Sequence, residues 1–192
     1  MSNQASKATL NKQVLEFNVA QQLKQQGGAP RAFVIEDAVL PFMDADLVLL
    51  APLSGLIKLI KTDTGILVTG TLSTVLELPC TRCLAPVSVA VSMEIEETFT
   101  PRVDIVTGGK LSQSPDVDAT TLISEQHILD LTEVVRQSLY LAQPAQILCK
   151  EDCLGLCPQC GKNRNQVQCN CTEETIDSRW ADLLALKNKM TD

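Results

Sequence analysis

The sequence predicts an α+β chain: a curled antiparallel β-sheet or small open barrel with flanking helices, followed by a C-terminal four-cysteine finger. Three observations carry this. Residues 31–100 hold runs of Val, Ile, Leu and Thr separated by turn signals. Apolar residues spaced three and four apart mark a helix at about 129–142. Six of the eight cysteines fall between 149 and 171.

In chain order, residues 12–28 read as a strand running into a short helix that Gly27 and Gly28 close. RAFVIEDAVL, DLVLLAPL, SGLIKLIK, ILVTGTLSTVLEL and APVSVAVSMEIEETF follow as strands. Thr62-Asp63-Thr64-Gly65 is a hairpin turn between two of them, with Gly65 free to take positive φ. Val87, Val89, Val91, Met93 and Ile95 alternate with small or polar residues, the period of a half-buried strand. Residues 101–126 are rich in Gly, Ser, Asp and Pro and read as a loop or linker. The helix follows, with Leu131, Val134, Val135, Leu139 and Leu141 apolar, a capping-box-like start at Asp130 and Glu133, and Pro144 as its stop. Near the end, Trp180, Leu183 and Leu184 share one face of a closing helix. The expected division is a β-rich core over 1–145 and a cysteine-rich segment with its closing helix over 146–192.

Composition narrows the function classes. Apolar residues make up 45% of the 192-residue chain, enough for a core that needs no cysteine staples. Aromatics are only 3%, too few for a stacking platform for single-stranded nucleic acid. A net charge of -7 has the wrong sign for a surface that coats phosphate backbones. Contact with nucleic acid is therefore expected to be local or made through a protein partner. The first residues lack a basic stretch followed by an apolar one, so no secretory signal is read. Asp44, Asp46, Pro41, Pro52 and Lys58 interrupt the most apolar segment, which argues against a membrane span. The expected location is the cytoplasm, where clustered cysteines bind metal more often than they form disulfides.

The cysteines stand at 80, 83, 149, 153, 157, 160, 169 and 171. Cys80-Thr81-Arg82-Cys83 lies where one strand ends and the next begins, and a CxxC at such a turn supplies half of a tetrahedral site. Cys157-Pro158-Gln159-Cys160-Gly161 is a second knuckle, and with Cys169 and Cys171 it makes a compact tetrathiolate finger. Cys149 and Cys153, spaced four apart, share a face if they lie on a helical turn and so complete the site begun by Cys80 and Cys83. Cys153 is also close enough to Cys157 in sequence for a different partition. All-thiolate tetrahedral sites select zinc or iron, and two zinc ions are expected here, one stapling the sheet to the C-terminal region and one folding a zinc finger. The competing readings are buried structural cysteines, disulfides and a thioredoxin-type pair, the last of which wants a helix N-terminus where CTRC has strands.

Catalytic constellations are not evident. The single histidine, His127, is expected to be a solvated surface residue. No phosphate-binding glycine motif is present, and a closed four-cysteine site lacks the open position of a catalytic zinc. A non-enzymatic protein is expected. Lys162 and Arg164 are the only charges between Cys157 and Cys171, a small basic tip that makes them candidate RNA-phosphate contacts.

The string from Cys80-Thr81-Arg82-Cys83-Leu84, through Asp130-Leu131 and Pro144, to C-x3-C-x-G-L-C-P-x-C-G-x-N-x-N and the closing Cys169-x-Cys171 resembles the YceD family, also called DUF177, the large ribosomal RNA subunit accumulation proteins. The likeness by motif covers roughly residues 75–172. Arg164 departs from the pattern, which carries Leu between the two asparagines and so an apolar buttress of the finger. The resemblance implies a role in large-subunit rRNA accumulation or processing and in ribosome assembly. It implies the rRNA itself, or an rRNA-bound ribosomal or assembly protein, as partner. The alternatives are a thiol-based redox or metal-sensing protein and a zinc scaffold for a protein complex.

Overall fold

The computed structural model describes residues 15–25, 29–38, 40, 47–112 and 117–171. The elements run β1 (Glu16–Asn18), α1 (Ala20–Lys24), β2 (Arg31–Ala38), β3 (Val48–Leu49), β4 (Leu53–Lys61), β5 (Ile66–Pro79), β6 (Pro86–Pro101), a 3-10 turn (Ala119–Thr121), β7 (Leu122–Ile123), β8 (Ile128–Asp130) and α2 (Thr132–Leu141). This is an α+β arrangement. The closing helix expected around Trp180 and the Gly27-Gly28 stop lie outside the described residues.

The main sheet follows the order β2-β4-β5-β6-β7, with β3 paired to β5 beside it. Among the described residues the path is open and does not close into a barrel. Its backbone is the β5–β6 hairpin, whose register is continuous from Ile66↔Phe99 to Pro79↔Pro86. Alternation decides which face is buried: Leu72, Leu76, Leu78, Met93 and Ile95 point inward, while Thr71, Ser73, Glu77, Ser92 and Glu94 face outward. The turn at 62–65 joins β4 to β5, with Thr62 N–H donating to Gly65 O at 2.9 Å and the Thr62 hydroxyl accepting from Gly65 N–H at 3.1 Å. Gly65 is needed there for space, because a Cβ would sit 2.0 Å from Phe99 O.

A small layer covers the inner face. β1 pairs with β8, and Phe17 meets the Phe33 ring edge-on at 5.0 Å. Gln22 ties α1 to the sheet by donating its side-chain N–H to Leu59 O at 3.1 Å. Helix α2 packs against β6 and buries Val134, Val135 and Leu139. Leu141 is off that stripe and 87% exposed. The capping box at Asp130 and Glu133 takes another form: Asp130 accepts from Thr132 N–H at 2.9 Å, whereas Glu133 accepts from the Arg136 guanidinium at 2.6 Å.

The segment 101–126 is more structured than a loop. Val103 bridges Lys110, and β7 runs parallel to the end of β6. A two-residue strand is too short to leave a period in the sequence. His127 is half-buried rather than solvated, with φ of 60°, and its carbonyl accepts from Val19 N–H at 3.0 Å.

Candidate metal centre

The hairpin tip between β5 and β6 is a tight knuckle. Cys80 N–H donates to Ala85 O at 2.8 Å and Leu84 N–H donates to Cys80 O at 2.9 Å. The same two bonds recur in the finger, where Cys157 N–H donates to Lys162 O at 2.8 Å and Gly161 N–H donates to Cys157 O at 2.9 Å. The fifth residue of each knuckle is left-handed: Leu84 at φ 60° and Gly161 at φ 68°. Both turns thereby aim their third and fourth N–H groups at the first sulfur.

The middle residues of the first knuckle hold the C-terminal segment. Ile147 O accepts from both Thr81 N–H, at 2.8 Å, and the Thr81 hydroxyl, at 3.0 Å. Arg82 O accepts from Leu156 N–H at 3.1 Å, and the Arg82 guanidinium donates to Cys153 O at 3.0 Å. Gly155, at φ 71°, passes so close that a Cβ would lie 3.1 Å from Arg82 O. Sequence reasoning assigned Thr81 and Arg82 no part in this; nothing but their place inside the CxxC pointed to it.

These ties bring two sets of four sulfurs together: Cys80, Cys83, Cys149 and Cys153 in one, Cys157, Cys160, Cys169 and Cys171 in the other, each set within 4.8 Å of one another. Cys149 and Cys153 reach the first set from a bend and turn, in which Cys153 N–H donates to Lys150 O at 3.1 Å, and not from the helical turn expected. Cys80 Sγ lies 3.8 Å from Cys153 Sγ and Cys83 Sγ 3.5 Å from Cys149 Sγ. Zinc–sulfur bonds of about 2.3 Å in a tetrahedron put the sulfurs about 3.8 Å apart, so the donor set fits such an ion. A disulfide needs about 2.05 Å, and all eight cysteines are free. Cys80, Cys83 and Cys153 are buried with Ala85, Val87, Leu148 and Leu156 around them, whereas Cys160 and Cys171 of the second set are exposed.

The electrostatics of the two sets match. The N–H groups of Cys83 and Arg82, with that of Cys149, lower the Cys80 thiol to about 6 against the opposing effect of burial. The N–H groups of Cys160 and Gln159 lower Cys157 to about 6 in the same way. Burial pushes Cys153 up, but the Gly155 N–H and the Asn165 amide outweigh it, leaving the thiol below its ordinary value. The neighbouring sulfurs have the contrary effect: Cys83 foremost drives Cys149 up to about 12, and Cys160 foremost drives Cys171 up to about 12. Each set thus holds a ready thiolate and a thiol that gives up its proton only to a cation.

Asn165, from the finger loop, reaches the first set. Its side-chain N–H donates to Cys153 Sγ at 3.3 Å and to Asn163 Oδ1 at 2.9 Å, while its Oδ1 accepts from Leu154 N–H at 2.9 Å. Lys162 and Arg164 are both exposed on the finger. Arg164 also holds the finger through its backbone, donating N–H to Gly155 O at 2.9 Å.

Three outcomes follow from this geometry. Leu84 is 64% exposed and left-handed, so Leu84→Gly should raise unfolding stability by about 0.5–1 kcal/mol, the relief of left-handed strain less glycine's unfolded-state entropy; a loss in denaturant titration would refute this. Asn165→Ala removes the amide on Cys153, and cobalt titration should show the first set weakened by about 10- to 100-fold with the second unchanged; equal weakening of both would count against the assignment. Metal affinity should fall with pH, because Cys149 and Cys171, at about 12, carry protons that an ion must displace at pH 7. Below about 6, Cys80 and Cys157 gain protons too, so the fall should steepen there. An affinity flat from pH 8 to 5, measured against a competing chelator, would contradict it.

Comparison with known proteins places the chain. Residues 68–187 match the family model described as large ribosomal RNA subunit accumulation protein YceD. Uncharacterized proteins of Mycobacterium bovis and of two strains of Mycobacterium tuberculosis are 30% identical over 132 residues, 69% of this chain and 60% of theirs. The match thus spans less than two thirds of those relatives' length. No solved structure matches the chain. With the family match covering both cysteine sets, the chain belongs to the YceD family.

Proposed function

We propose that the chain is a non-enzymatic cytoplasmic factor, held together by two zinc ions, that supports accumulation and processing of large-subunit rRNA during ribosome assembly. The observation that carries the metal half is the pair of four-sulfur sets, each within 4.8 Å. Zinc, when bound, supplies the positive charge that lets all four sulfurs of a set remain thiolates. Four protein ligands leave no open position, so the metal role proposed is structural. The chain's own part is to aim N–H groups at Cys80 and Cys157 before any ion arrives.

The rRNA half rests on the family. Lys162 and Arg164 are exposed cations on the finger and suit local contact with phosphate. The net charge of -7 favours a bridge to an RNA-bound protein over broad contact with naked RNA. No helix among the described residues is long and apolar enough to cross a membrane.

Depletion of the chain in its source cells should selectively lower large-subunit rRNA relative to small-subunit rRNA. Wild type should restore the ratio, Cys157→Ser should not, and Lys162→Ala/Arg164→Ala should restore it incompletely. A ratio unmoved by depletion would overturn this reading and bring the thiol-based alternative forward.

A further inference from the structure

The free edge of β6 is the longest uncommitted hydrogen-bonding surface among the described residues. Cys80 N–H donates to Ala85 O, which makes this a bonded pair. Bonded and non-bonded pairs alternate along an antiparallel ladder, and the β5–β6 register has no break. Val87, Val89, Val91, Met93 and Ile95 therefore direct their backbone groups toward β5. Ser88, Ala90, Ser92, Glu94, Glu96 and Thr98 direct theirs away from it. Two contacts at the strand's end support the assignment. Thr100, of the second set by parity, pairs with Leu122 of β7, and Arg102 N–H donates to Ile123 O at 3.3 Å.

Beyond those two residues of β7, the lane beside β6 has no strand in it among the described residues. From Ser88 to Thr98 this leaves roughly 35 Å of edge at about 3.4 Å per residue, and the six residues facing it are all exposed. Prolines stand only at the ends of β6 and the register holds no bulge, so two common devices for blunting an edge are missing. The third device, charge, is present in one sign. β6 carries Glu94, Glu96 and Glu97 and no basic residue. Two copies meeting edge to edge would oppose these carboxylates, which disfavours self-pairing. Where the lane nears β7 it opens into a groove of about 410 Å³ between β6, the 3-10 turn and α2, lined in part by Glu97, Asp118 and Thr120. Thr100 Oγ1 lines the same groove, is buried and has no hydrogen-bond partner among the described residues.

We propose that the β6 edge accepts a basic, extended segment of a partner protein as an added strand. Main-chain bonds from Ser88 to Thr98 supply affinity, and Glu94, Glu96 and Glu97 select lysine- or arginine-rich segments. The same carboxylates repel phosphate, so RNA is excluded from this lane. The proposal deepens the protein-bridge half of the functional reading, yet its test does not involve rRNA levels and can fail separately.

The test uses the full zinc-loaded chain and a fluorescein-labelled ten-residue peptide of alternating lysine and valine. Amide exchange by NMR should be fast at Ser88, Ala90, Ser92, Glu94, Glu96 and Thr98 in the free chain and at least tenfold slower with peptide, while Val89, Val91 and Met93 stay protected throughout. A peptide of equal charge, N-methylated at alternate residues, should bind at least tenfold more weakly, as should the wild-type peptide to Glu94→Gln/Glu96→Gln/Glu97→Gln. Edge amides already slow in the free chain would mean that its own residues occupy the lane. Equal binding of the methylated peptide would reduce the effect to charge. No binding, or slowing of the same amides by a ten-nucleotide RNA, would equally overturn the proposal.

Discussion

Four sulfurs held within 4.8 Å of one another at a hairpin tip pose a charge problem that the backbone solves only in part. Amide groups of the knuckle favour a thiolate at Cys80, while Cys83 foremost, then burial and the other sulfurs, hold the Cys149 thiol well above its ordinary value. A divalent cation resolves the conflict in a single step. Hydrogen bonds already hold the segment to the knuckle: Ile147 to Thr81, Leu156 and Cys153 to Arg82, and Cys149 N–H to Cys80 Sγ. Hydrogen bonds thus position the C-terminal segment, and a bound cation would fasten it.

This explains a difference between the two sets. The first joins residues about seventy positions apart and buries three of its four cysteines, so an ion held there would cross-link the fold. The second closes a short loop and leaves Cys160 and Cys171 exposed. Loop-closure entropy grows with the length closed, so the first tie constrains the unfolded chain more. The loop between Cys160 and Cys169 also presents the Asn165 amide that rests on Cys153. That contact tunes Cys153 without making either sulfur set depend on the other.

Much of this was legible in the residues. Inward alternation in β6 and the two CxxC knuckles were readable because side-chain period and cysteine spacing are local properties. The grouping of Cys149 and Cys153 with Cys80 and Cys83 followed from pairing leftover ligands, although a spacing of four fits a turn as well as a helix. Leu84 hid its left-handed backbone, because glycine is the residue from which that conformation is normally read. The roles of Thr81, Arg82 and Asn165 depend on contacts with distant backbone, to which no periodicity corresponds. The open edge of β6 was equally invisible, since it depends on which strands fail to reach it.

Two independent metal ties are proposed for one chain, and native mass spectrometry reads their number directly. Wild type should retain two zinc ions, Cys149→Ser one and Cys171→Ser one, with the retained ion of each variant surviving a mild chelator. Two ions lost together in either variant, or a wild-type chain that carries none or one, would contradict that proposal.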